Sequence, residues 1–271
     1  MTSAFCPGHI TCFFQPVRTA DVLTTGSRGV GIRLSKGTKV TLEERSDDSL
    51  KMVMDGKEGD YAVTRDAVRR ISGRGFDIII ENDLPVSQGF GMSASGSIAA
   101  ALCACEFECK DHSEAFVAAH ISEVMNGGGL GDVSAISCPS HVPVRKVAGI
   151  PPLGQVIDSG LELKDLRVAV LGEPMKTGNI LSDPGTNRRL MESGSRSVDS
   201  FIADPSVDAL FSLSREFSRY VGLETQIMSS RIDSLPRSGM CMLGHSIFTL
   251  DDDGDSIPCP STDRMPFICK A

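Results

Sequence analysis

The apolar positions along the chain fall into short blocks separated by turn residues. Gly29 to Leu34, Thr38 to Leu42 and Leu50 to Met54 are apolar segments bounded by Gly, Ser and Asp, which predicts strands of a meandering sheet. Tyr61 to Ile71 is apolar at 63, 67, 68 and 71, the spacing of one face of a short helix that Ser72-Gly73 would end. Phe76 to Ile80 then predicts a buried strand. Asp83 to Gly96 is a Gly/Ser loop, and Ser97 to Cys105 is so uniformly small and apolar that it predicts a buried helix. A further helix is expected over Ser113 to Met125, with Asp111 and Glu114 spaced as a capping box and Gly127-Gly128-Gly129 ending it. The second half predicts a strand at Leu166 to Leu171, helices at Asn187 to Ile202 and Val207 to Tyr220, and strands at Met240 to Leu250 and Phe267 to Cys269. That order reads as α+β, with helices packed on an antiparallel sheet.

The chain has 271 residues, more than the roughly 100–200 typical of one domain. Pro151-Pro152 between Gly149 and Gly154 is the best connector, so two units are expected, 1–150 and 151–271. The net charge of −8 argues against a broad basic surface for nucleic acid or anionic lipid. No stretch approaches the roughly 20 apolar residues of a membrane span. The first basic residue is Arg18, and no apolar run of a secretory signal precedes it. A cytoplasmic protein with no membrane partner is the expectation. The nine cysteines form an odd set with no C-x-x-C pair, which favours reduced thiols over disulfides or structural zinc. Cys103, Cys105 and Cys109 belong to the Ala-rich helix and are expected to be buried. Asp251 to Asp255 does not align with a calcium-binding loop, because Pro260 would occupy its twelfth position.

Three segments could carry chemistry. Gly89 to Gly96 opens a helix with glycines, so unpaired backbone N–H groups and the positive end of the helix dipole would face an anion, most naturally a phosphate. Neither the G-x-x-x-x-G-K-[ST] loop nor the dinucleotide fingerprint is present. Glu123 and Asp132, on either side of the glycine cluster, are either a solvated residue and a helix cap or two carboxylates for a metal and a substrate hydroxyl. Gly8-His9-Ile10-Thr11 and Gly26-Ser27-Arg28-Gly29 place a histidine, hydroxyls and an arginine on turns. Arg28 is either a surface residue or a clamp for a carboxylate.

In this order the motifs resemble those of the GHMP kinase superfamily. Pro7-Gly8-His9 resembles its first motif, Pro85 to Ser95 its P-x-x-x-G-[LF]-G-x-S-[AS]-[AS] loop, and Ser238 to Ser246 its glycine-containing third motif. Within the superfamily, Gly8 to Phe14, Gly26 to Gly31 and Met242 to Ser246 are similar to the archaeal pantoate kinase family. The resemblance implies a two-domain α+β fold, an N-terminal mixed sheet with helices followed by a ferredoxin-like unit that closes the substrate site. It implies an ATP- and Mg2+-dependent kinase that phosphorylates the 4-hydroxyl of pantoate on the route to coenzyme A, and a homodimer. It puts ATP phosphates on Gly89, Gly91, Met92, Ser93, Ala94 and Ser95, and the metal on Ser93 and Glu123. Asp132 takes the catalytic place, and His9, Thr11, Ser27 and Arg28 take the substrate. Where several superfamily members have a lysine after Pro-Gly, this chain has His9. Two alternatives stay open, a kinase of the same superfamily for another alcohol such as shikimate or mevalonate, and a non-catalytic ligand sensor.

Overall fold

A computed structural model describes residues 1–175 and 183–269. The first sheet is built on two long strands, β1 (Thr2–Val17) and β2 (Gly26–Glu44), antiparallel over their whole length. β1 was invisible to the pattern reading because its middle is buried on both faces, so polar and apolar residues do not alternate. The segments 29–34 and 38–42, expected as separate strands, are one strand, β2. Beyond β2 lie β5 (Phe76–Asn82), β3 (Leu50–Met54) and β4 (Lys57–Glu58), with β3 parallel to β5. Helices α1 (Ala62–Ile71), α2 (Met92–Glu108) and α3 (Ser113–Met125) pack together, with α2 against β1 and β2.

Helix α2 is buried from Ala94 to Cys105 on every side, as its run of small and apolar residues requires, and within its first turn only Ser93 is exposed. It begins at Met92, so Ser93 to Ser95 form its first turn rather than a preceding loop. Cys103 and Cys105 are buried as expected; Cys109 is exposed, because the helix ends there in the left-handed conformation at φ +53°. At α3 no reciprocal capping box forms; the Asp111 carboxylate accepts from the Ser113 backbone N–H instead.

A short helix, α4 (Asp132–Ile136), is followed by β6 (Pro143–Val147) and β7 (Gln155–Asp158), which extend the first sheet from β2. The second sheet contains β8 (Arg167–Val170), β9 (Ser238–Cys241), β10 (Ser246–Thr249) and β11 (Ile257–Pro258) in the order β11-β8-β10-β9, all antiparallel. That is the ferredoxin-like order, 4-1-3-2, with the residues between β10 and β11 forming a loop where a second crossover helix would lie. Helices α5 (Pro184–Ala203), α6 (Val207–Val221) and α7 (Gln226–Ser234) fill the first crossover. The single strand expected over 240–250 is the β9–β10 hairpin.

The two halves share one core. α5 packs on β1, Phe13 meets Phe201 edge-on and packs at a tilt against Phe217, and Phe14 packs against Phe217. The last strand, β12 (Phe267–Cys269), returns to pair with β1. Buried Arg33 fastens that return by donating to the carbonyls of Cys138, Asp263 and Arg264. β7 and β12 thus lie in the first sheet although they follow the Pro151-Pro152 connector.

Candidate active site

One cavity of about 270 Å³ opens at the N-terminus of α2. Its wall on that side is Ser87, Gly89, Phe90, Gly91, Met92, Ser93 and Ala94. Gly89 (φ +78°) and Gly91 (φ +68°) are left-handed, and a side chain on either would collide with backbone, at Cys241 and Met242 for Gly89 and at His9 for Gly91. The first intrahelical N–H of α2 is that of Ser95, donated to the Gly91 carbonyl. The N–H groups of Met92, Ser93 and Ala94 therefore precede the helix's own bonding pattern, at the positive end of a 17-residue helix.

The glycine cluster brings two carboxylates to the same cavity. Glu123, in the last turn of α3, is 1% exposed. One of its oxygens accepts from the Ser93 hydroxyl at 2.6 Å and the other from the Gly129 N–H at 2.6 Å. Burial, with some help from nearby Asp132, pushes its carboxyl up to about 7 against the two hydrogen bonds. A buried carboxylate oxygen beside a hydroxyl oxygen is a donor set for a hard divalent cation. Asp132, the first residue of α4, also lines the cavity, and its Oδ1 lies 2.7 Å from His9 Nδ1.

Under this end of the cavity lies a buried cation that the sequence reading missed. Arg145 of β6 is 1% exposed, and its position opposite Gly29 in the β2–β6 register runs its side chain toward Thr11 and His9. The only hydrogen bonds of its guanidinium among the described residues are 3.4 Å contacts from Nη1 to His9 Nε2 and from Nη2 to Thr11 Oγ1, and Nε has none. Burial lowers its pKa to about 10, which leaves it charged at neutral pH. The available signal was the small residues Gly29 and Gly31 in an otherwise bulky strand, since side chains there would overlap Arg145 and His9 respectively.

The structure gathers Gly89, Gly91, Met92, Ser93, Ala94, Glu123, Asp132, Thr11 and Ser27 around the cavity. Three of the expected residues lie elsewhere. Ser95 turns into the sheet, where its hydroxyl donates to the Cys6 carbonyl and accepts from the Thr38 N–H. His9 is fully buried behind Asp132. Arg28 is outside, its guanidinium bonded to Asp199, Gln15 and the Lys146 carbonyl. From the second half come Met175, Met242 and Leu243, which add to the apolar lining formed by Phe14, Phe90, Met92 and Leu130.

Comparison with known proteins agrees with this arrangement. The GHMP kinases N terminal domain family matches residues 61–139. The chain is 30% identical to the pantoate kinase of Methanospirillum hungatei, across 94% of this chain and 89% of that protein. It is 27% identical to the pantoate kinase of Methanocaldococcus jannaschii, across 98% of each. A solved phosphotransferase related to the CoA biosynthesis pathway superposes with a TM-score of 0.87 at 25% identity, over 99% of this chain and 98% of that one. Lactococcus lactis galactokinase shares the fold, with a TM-score of 0.67 at 11% identity over 98% and 94% of the two chains. Among the described residues no helix is long and apolar enough to cross a membrane. The chain belongs to the GHMP kinases, in the family of the pantoate kinases.

Proposed function

We propose that this protein transfers the γ-phosphoryl group of ATP to the 4-hydroxyl of pantoate, a step toward coenzyme A. The observation that carries the reading is the convergence of three unlike groups on one cavity: the open N-terminus of α2, the Ser93–Glu123 oxygen pair, and Asp132 beside a buried, under-bonded arginine. Each answers one requirement of phosphoryl transfer to an acidic alcohol.

The N–H groups of Met92, Ser93 and Ala94 donate to phosphate oxygens, and the helix dipole favours the negative charge they bring. Ser93 Oγ and the Glu123 carboxylate would hold magnesium, which when bound supplies positive charge to the phosphate oxygens. Asp132 orients the acceptor hydroxyl and takes its proton as the new oxygen–phosphorus bond forms. We assign the substrate carboxylate to Arg145 rather than Arg28, because Arg145 has donors without acceptors whereas Arg28 is already engaged outside the cavity. Thr11 and Ser27 supply hydroxyls at the same end, and Phe14, Met175, Met242 and Leu243 face the gem-dimethyl carbon. In this reading residues 1–150 carry the phosphate loop, both carboxylates and the cation, and residues 151–271 close the substrate end.

The test is ADP release from ATP and magnesium with pantoate, shikimate, mevalonate and homoserine, on the wild type and Asp132→Asn. Pantoate turns over fastest, and the variant loses about 10³ in kcat, within the range for removing a general base. Turnover of a different alcohol would move the substrate assignment and leave the kinase reading standing. No turnover across the panel would overturn both in favour of a ligand sensor.

A further inference from the structure

His9 stands at the junction of all three parts of the site while touching the cavity with none of its atoms. Irregularities in the β1–β2 register between Pro7 and His9 and between Thr11 and Phe13 set the segment His9–Thr11 apart from the regular ladder on either side. The main-chain N–H of His9 donates to the Phe90 carbonyl at 3.0 Å, which ties the phosphate loop to β1. Its ring lies fully buried against Gly31, where any side chain would displace it, and Gly91 lets the loop close over its backbone.

The two ring nitrogens have different partners, and the partners decide the proton. Arg145 Nη1, 3.4 Å from Nε2, can only donate, so Nε2 carries a lone pair. The remaining ring proton is on Nδ1 and is donated to Asp132 Oδ1 at 2.7 Å. Burial and the nearby arginines hold the His9 pKa below its ordinary value, against the pull of Asp132, which agrees with a neutral ring. A histidine kept only for packing satisfies itself on backbone, as buried His120 does on the Val22 carbonyl. His9 instead spends both nitrogens on side chains of the site, one a carboxylate and one a guanidinium.

We infer that His9 is a positioning residue that fixes the Asp132 carboxylate through a single imidazole tautomer and ties it to Arg145. With Oδ1 held by the Nδ1–H, Oδ2 is the oxygen left to receive the acceptor's proton. His9 takes up no proton itself. The fixed charge on this side of the site is Arg145, and His9 passes its own orientation on to the base. This rests on the proposed role of Asp132, so it needs one readout that does not depend on which alcohol is phosphorylated.

That readout is the ring itself. In protein with 15N-labelled histidine, the buried ring of the wild type, assigned by its loss in His9→Asn, should show a proton on Nδ1 only, between about pH 6 and pH 8. A proton on Nε2, or a doubly protonated ring in that interval, would overturn the inference whatever the substrate. The kinetic arm uses His9→Leu, which removes both contacts, and His9→Asn, whose amide N–H stands where Nδ1–H does. His9→Leu should lose about 10² in kcat, as misplaced catalytic groups do, with the KM for ATP within about twofold. His9→Asn should recover most of that loss, whereas His9→Gln, with its donor at the other nitrogen's position, should not. In an Asp132→Asn background His9→Leu should have no further effect on kcat. Independent, multiplying losses there, or equal losses in the Asn and Gln variants, would show a purely structural role.

Discussion

Glu123 offers a test that reads the site without catalysis. Its carboxyl is pushed from the ordinary 4.5 up to about 7 by burial, and at ~1.4 kcal/mol per pH unit that rise is worth about 3 kcal/mol. The raised value belongs to the folded state. Between pH 4.5 and about 7 the native protein therefore holds a proton that the unfolded chain has released, and stability falls as pH rises through that window. Glu123→Gln removes the titration but keeps the bonding, because its amide can accept from the Gly129 N–H and donate to the Ser93 hydroxyl. In chelator-washed protein without nucleotide, variant and wild type should melt together at about pH 4.5. Above about pH 8 the variant should be the more stable by several degrees, since a chain of this size moves roughly 2–4 °C per kcal/mol. Thermal melts of both proteins across that range measure the difference. A gap independent of pH, or a variant less stable at the alkaline end, would refute the reasoning, since either would mean that Glu123 is ionised in the native state at its ordinary pKa.

Two further expectations concern the substrate end. Arg145→Met removes a buried charge whose Nε has no acceptor, so the protein without ligands should melt at the same temperature or higher. The same variant should raise the KM for pantoate by about 30-fold or more, the usual loss for deleting one partner of a buried charged pair, with the KM for ATP little changed. Leu243 holds φ +64° at the cavity wall, a conformation that strains a side-chain-bearing residue by roughly 1–2 kcal/mol. Leu243→Gly should therefore raise the melting temperature while weakening pantoate binding. A fall in melting temperature would mean that the turn is not strained and that glycine only added chain entropy.

The parts of the fold that could be read from the sequence were those with a single chemical demand. α2 was evident because every position from Ile98 to Cys105 is small and apolar, and only a helix buried on all sides uses such a run. The glycine loop before α2 was legible because Gly89 and Gly91 stand at fixed offsets before the helix. β1 was hidden for the opposite reason. Its residues meet α2 on one face and α5 on the other, so no alternation marks the strand, and Gly8-His9-Ile10-Thr11, like Gly26-Ser27-Arg28-Gly29 in β2, reads as a turn although both are strand. The β9–β10 hairpin was hidden because Met242 and Leu243 keep the apolar run going through the turn. At the site, contacts close in sequence were legible and long-range ones were not. Glu123 and Asp132 are separated only by the glycine cluster, but Arg145 reaches His9 across 136 positions. Arg28 looked like the free cation because nothing in its neighbourhood announces Asp199.

On the proposed function, ligands should stabilise the protein through three separate groups. Glu123 is buried as a group that resists ionisation, Arg145 is buried without an acceptor for its Nε, and Leu243 holds a conformation suited to glycine. Each costs stability, and each would be relieved by a different part of the proposed reaction complex. A cation at Glu123 favours its ionised form, a carboxylate near Arg145 gives its donors acceptors, and a branched apolar carbon against Leu243 repays the strain with burial. Strain placed this way is specific. An alcohol without a carboxylate leaves Arg145 unpaired, and discrimination by an unpaired buried charge exceeds what any apolar pocket achieves against a missing methyl group. On the proposed assignment, selection against uncharged alcohols would come from Arg145, and selection among hydroxy acids from the wall formed by Phe14, Met175, Met242 and Leu243.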